Sequence, residues 1–190
     1  MTQVAAQLVR TARRSSGLSQ RALAERAKVF GSAVADVERC AHDPGAAALE
    51  RLLGAAGHRL CALPTSSSPV AAWADFIYRE LRSKRASHKV AFRALIGLSD
   101  ELSVAPKPLR VALCVAEPAP CGDERYDAAL AGLVEHYLAK DRLPIPEWVD
   151  QPGRTLAEPW KASVYTDLSE VPEALAHHGV WLAKADLASV

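Results

Sequence analysis

Gly17-Leu-Ser-Gln-Arg-Ala-Leu-Ala-Glu-Arg-Ala27, continued by Lys28-Val-Phe-Gly-Ser-Ala-Val-Ala-Asp-Val-Glu-Arg39, is the stretch of this 190-residue chain whose reading decides its fold. Ser19 carries the short oxygen-bearing side chain that caps a helix start. Leu23, Ala24 and Ala27 follow at helical spacing and face inward. Phe30 to Arg39 reads as the next helix, with Val34 and Val37 inward. Ala24 is small where two helices must cross, and Val29, Val34 and Val37 seal the second helix onto the first.

Outward from this pair the helical reading continues. Val4 to Arg14 places Val4, Leu8 and Ala12 on one stripe. Asp43-Pro44 reads as a cap followed by proline at the first helical position. Ala46, Leu49, Leu52, Leu53 and Ala56 then share an apolar face, and Gly57 ends that helix in a left-handed turn. His58 to Leu63 is a short tail. Pro64-Thr-Ser-Ser-Ser-Pro69 is a polar linker between two apolar-periodic regions. The expected organisation is therefore a domain over 1–63, a linker over 64–69 and a second domain over 70–190.

The second region also reads as mostly helical. Val70 to about Arg85 puts Trp73, Phe76, Ile77 and Leu81 on one face, and Arg79, Arg82, Lys84 and Arg85 on the other. His88 to Leu102 is another helix or a broken continuation. Leu109 to Val115 is helix or strand, which periodicity does not decide. Asp123 to Lys140 is a long helix with Tyr126, Leu130, Leu133, Val134, Tyr137 and Leu138 inward. Leu143-Pro-Ile-Pro146 is held extended by its prolines. Pro172 to His178 is a last helix closed by Gly179, followed by a short strand over Val180-Trp-Leu182.

The segment 17–27, with Val29, Val34, Val37 and Glu38-Arg39 in step behind it, resembles the XRE family of helix-turn-helix proteins, relatives of phage repressors and Cro. The likeness covers residues 4–60. It implies an all-α chain that opens with a five-helix DNA-binding domain. It implies that the helix beginning near Phe30 enters the major groove, and that the helix before it points its N-terminus at a phosphate. Ser19 and Gln20 stand at that N-terminus; Arg21, Lys28 and Arg39, with Arg14, are candidate phosphate contacts, each with a solvated surface charge as the alternative reading. Gly31, Ser32, Ala35 and Asp36 occupy the reading positions, where family members carry longer polar residues. An aspartate can accept from cytosine but repels phosphate. The resemblance also implies a buried pair between Arg13 and Glu38. Lys28 replaces the usual turn glycine and is expected at positive φ, and Cys40 replaces the glycine after Glu-Arg.

Composition sets the outer bounds. Hydrophobic residues at 49% and charged residues at 24% are globular values, which excludes global disorder and fibrous repeats. No apolar run approaches the length of about 18 residues that a membrane span needs, and the first 30 residues lack the apolar centre of an export signal. No membrane partner and a cytoplasmic location are expected. Charge is uneven: residues 1–63 carry net +4, residues 64–104 net +2 and residues 105–190 net −5. The front suits phosphates and the rear suits a protein partner or solvent. The basic run Arg79, Arg82, Lys84, Arg85, His88 and Lys89 reads equally as a phosphate patch, a solvated helix face or a surface for an acidic partner.

No catalytic constellation stands out. The chain has no Gly-rich phosphate loop, no His-Glu-x-x-His helix and no Gly-x-Ser-x-Gly elbow. Glu135 and His136 are adjacent on a helix and point apart. Cysteines at 40, 61, 114 and 121 lack metal or redox spacing. His177 and His178 diverge by about 100° if both are helical, so they chelate one metal poorly. No enzyme activity, cofactor or metal is expected. Trp73, Trp148, Trp160 and Trp181 read as core aromatics, or as a pocket or partner surface. The segments 126–136, Pro146-Glu-Trp148, Pro159-Trp160 and 178–182 resemble the C-terminal regions of actinobacterial helix-turn-helix proteins, some of which look like antitoxins encoded beside a toxin. The two resemblances together imply a homodimeric repressor of its own operon, with residues 70–190 holding a toxin. A ligand-sensing repressor, or an interaction protein that no longer reads DNA, are the alternatives.

Overall fold

Helical periodicity governs both halves of the chain. The computed structural model describes residues 3–83, 87–162 and 167–187, and the chain divides into two units, 1–66 and 67–190. The described residues are mostly helical, and no helix among them is long and apolar enough to cross a membrane.

The first unit contains α1 (Gln3–Ser15), α2 (Gln20–Ala27), α3 (Ala33–Glu38) and α4 (Ala46–Ala55). Its core is built from Val9, Ala12, Leu23, Ala24, Ala27, Val34, Val37, Leu52, Leu53 and Ala56. Ala24 is buried as expected where helices meet. Several expectations shift. Four helices are described where five were expected, because Gly57 takes φ +76° and residues 59–66, exposed throughout, have no buried face to fold around. The buried stripe of α1 runs through Ala5, Val9 and Ala12, leaving Val4 exposed, so the helix is rotated by about one position. Asp43 does not cap α4. Gly45, extended at φ −63° and ψ 159°, takes that place and the helix begins at Ala46.

Each of these four helices is followed by a residue in the left-handed region: Gly17 (φ +63°), Lys28 (+55°), Cys40 (+58°) and Gly57 (+76°). The next amide then reaches back five residues to a helix carbonyl, as in Val29 to Ala24 at 3.0 Å and Ala41 to Asp36 at 2.8 Å. These bonds satisfy carbonyls that the helix end leaves open.

The second unit contains α5 (Val70–Arg82), α6 (His88–Val104), α7 (Lys107–Cys114), α8 (Glu124–Lys140) and α9 (Glu173–His177). Residues 109–115, left open between helix and strand, are helical except for the cap Val115. α8 is the axis of this unit. Every residue from Tyr126 to Val134 is buried, so it is wrapped on all sides rather than amphipathic. Along α5 the buried residues are Val70, Ala71, Ala74 and Ile77, with Trp73 and Leu81 partly buried and Phe76 exposed. Ser67 to Pro69, expected as linker, are half-buried, and the Ser68 amide donates to Glu101 of α6 at 2.9 Å. Lys84 and Arg85 lie outside the described residues, so the basic run is not described as a whole.

A two-stranded parallel ladder closes the unit. β1 (Trp160–Lys161) pairs with β2 (Val180–Trp181), with Trp160 opposite Val180. Between the strands lies α9, which crosses α8 at Gly132. A Cβ there would sit 2.8 Å from Leu175 Cδ2 and 3.2 Å from Leu175 Cα, so only glycine allows the approach.

Candidate functional site

Among the described residues, one polar cluster in each unit is taken as a candidate site. In the first unit, Glu38 at the end of α3 accepts two parallel hydrogen bonds from Arg13 of α1, Nε to Oε1 at 2.7 Å and Nη2 to Oε2 at 3.0 Å. Gln20 of α2 donates its amide to Oε2 at 2.8 Å. Arg13 also donates to the Leu18 carbonyl, and Arg10 donates to the Glu38 carbonyl at 2.6 Å. Three helices are thus tied through one carboxylate. Burial pushes the Glu38 pKa up, but the hydrogen bonds from Arg13 and Gln20 and the charges of Arg13 and Arg10 outweigh it and hold it below the ordinary value.

The expected contact residues surround this clamp in different states. Ser19 caps α2, its hydroxyl accepting from the Ala22 amide at 3.1 Å. Gln20 is half-buried, and one amide donor is committed to Glu38. Arg21 is exposed and pairs with Glu25 one turn on. Lys28 is exposed and left-handed, as expected from the turn. Gly31 and Ser32 are exposed, Ala35 half-buried. Asp36 pairs with Arg39 at 2.6 Å, which offsets the negative charge that would oppose a phosphate. These residues lie in α2, α3, their caps and the turn between them; Arg21, Lys28, Gly31, Ser32 and Arg39 are exposed, whereas Gln20 turns inward to Glu38.

Two neighbours were missed by sequence reading. Phe30 is 88% exposed in the turn before α3, an unusual position for an aromatic ring. Its signal was an apolar residue in a turn, read only as a helix start. Arg10 lies three residues before Arg13, on the same side of α1, and that spacing was its signal.

In the second unit, Glu135 of α8 meets both adjacent histidines. Glu135 Oε2 lies 2.9 Å from His178 Nε2 and 3.2 Å from His177 Nδ1. The expected divergence of the pair does not hold. His177 is the last residue of α9, but His178 is its cap, with φ −81° and ψ 4°. His178 is fully buried, and its Nδ1 lies 2.6 Å from the Arg154 carbonyl. Arg154 is itself buried, donating to the Pro118 carbonyl at 2.6 Å, pairing with Asp127 at 3.3 Å and lying over the Trp148 ring. An open cavity of about 1040 Å³ adjoins the cluster, with Glu135, His136, Lys140, His177 and Lys184 on its wall. Burial, helped by the charges of Lys140 and Lys184, pushes the His136 pKa down. Glu135 and His136 do not act as a pair: Glu135 turns to the histidines of α9.

No family model matches the chain, and neither a curated protein nor a solved structure matches it.

Proposed function

We propose that residues 1–66 form an XRE-type helix-turn-helix domain that lays α3 in the major groove of double-stranded DNA, and that the protein regulates transcription. The observation that carries this reading is the clamp on Glu38. It fixes the inner side of α3 to α1 and α2 while the turn before α3 and its outer side stay open. Gly31 and Ser32 are small, which lets that end of the helix approach base edges closely. The N-terminus of α2, capped by Ser19, offers backbone N–H groups to a phosphate. Arg21, Lys28 and Arg39 supply positive charge around it. The net +4 of residues 1–63 is consistent with a polyanion.

The rear of the chain supports a partner-binding role. Residues 105–190 carry net −5, which suits a basic protein such as the toxin of a toxin–antitoxin pair. In that reading a homodimer represses its own operon at two half-sites about one helical turn apart. The cavity beside α8 and α9 favours a second reading, a repressor that senses a small ligand.

Salt-titrated binding to the protein's own upstream DNA, against a scrambled duplex of equal length, tests the proposal. A preference of about 10³-fold or more for the native sequence is expected. Arg39→Ala is expected to weaken binding to both duplexes and to lower the salt slope by about 1. Equal and weak binding to both duplexes overturns specific reading, leaving the first unit as a scaffold.

A further inference from the structure

The geometry points to a divalent transition-metal site of the zinc class in the second unit, held by Glu135, His177 and His178. One ligand atom from each of these residues lies within 4.8 Å of the other two. That spacing is close to what three ligands around one ion at bond lengths of about 2.0–2.2 Å require, after small side-chain adjustments. Two nitrogens and one carboxylate oxygen form a donor set that suits zinc rather than magnesium or calcium, which prefer all-oxygen shells.

The hydrogen bonding of His178 supplies the second argument. Its Nδ1 lies 2.6 Å from a backbone carbonyl oxygen, which has no proton to give, so Nδ1 carries the hydrogen and donates it. Its other ring nitrogen, Nε2, faces Glu135 Oε2, 2.9 Å away. His177 turns Nδ1 to the same oxygen. The three atoms thus face one point, where a cation would be met by two ring nitrogens and a carboxylate oxygen. A ring nitrogen that donates to a carbonyl while the other faces a ligand cluster is the supporting arrangement metal-binding histidines use.

The surroundings hold the cluster rigidly. The Arg154 carbonyl is fixed by the bonds of its own guanidinium to Asp127 and Pro118. α9 is fixed on α8 by the close approach at Gly132. His178 is fully buried, Glu135 is partly buried, and Glu135 and His177 line the cavity. A cation held by these three would have a coordination position turned to that cavity. Three protein ligands with a position left open distinguish reactive or ligand-binding zinc sites from closed structural ones. This site is independent of the DNA-binding proposal, and its test involves no DNA.

Metal-stripped full-length protein is titrated with Zn2+ by calorimetry and with Co2+ by absorption spectroscopy. One Zn2+ per chain is expected, with Kd below about 1 µM. The cobalt spectrum should show nitrogen and oxygen ligation without thiolate charge-transfer bands. His178→Ala removes a fully buried side chain and risks the fold, so His177→Ala and Glu135→Gln are the deciding variants. Each should retain the metal-free melting temperature and weaken Zn2+ binding by roughly 100-fold. No binding at micromolar Zn2+ overturns the site and leaves an ordinary buried histidine–carboxylate pair. Thiolate bands, or affinity unchanged in both variants, overturn it by placing the metal elsewhere.

Discussion

Lys28 and Cys40 hold left-handed backbone angles at which a side chain is strained and glycine is not. Lys28→Gly and Cys40→Gly are each expected to stabilise the first unit by about 1 kcal/mol, read from urea unfolding midpoints. Glu38 is the opposite case, a residue whose removal should be costly. Its carboxylate is buried against Arg13 and Gln20, and Glu38→Ala leaves Arg13 facing an unfilled buried site. A loss of about 3–5 kcal/mol is expected. The pair also confers a pH dependence. The folded pKa of Glu38 is lowered, so its contribution is complete above the unfolded glutamate value. That contribution disappears as pH falls through the lower folded value. Glu38→Gln should flatten this acid limb of the stability curve; a limb of unchanged steepness would assign it to other groups.

At the scale of elements, the crossing of α8 and α9 rests on one missing side chain. Gly132→Val would push against the backbone of Leu175 as well as its side chain, so the helix itself must move. The expected results are a lower melting temperature and displaced His177 and His178 imidazole resonances, and normal resonances would show that α9 accommodates the change. This crossing was hidden in the sequence, although its parts were not. α2 and α3 could be read because Leu23, Ala24, Val34 and Val37 follow a helical period, and the long α8 could be read for the same reason. The Arg13–Glu38 pair followed from resemblance and is present. The meeting of Glu135 with His177 and His178 was invisible, because a helical wheel separates adjacent residues by about 100° and takes no account of a side chain on another helix that reaches ring nitrogens of both. β1 escaped for another reason: two residues, Trp160 and Lys161, are too few to show alternation.

At the scale of the whole molecule, each unit carries its own core, so each should respond to its own substitutions. Leu23 is fully buried in the first core and Leu130 in the second. Leu23→Ala and Leu130→Ala should each cost about 2–5 kcal/mol, in separate calorimetric transitions. A single transition shifted equally by both would show that the units unfold as one. The first unit should melt first, because a chain of about 60 residues buries a smaller share of its surface than a longer one.

The division near residue 66 has an optical consequence. All four tryptophans and all four tyrosines of the chain follow it, and the one benzene-ring side chain before it is Phe30. Residues 1–66 are therefore dark to tryptophan emission and contribute almost nothing to absorbance at the usual protein wavelength. A fluorescence-monitored melt will follow residues 67–190 alone, whereas circular dichroism of the peptide bond sees both units. The difference between the two curves isolates the first unit without cutting the chain or attaching a dye.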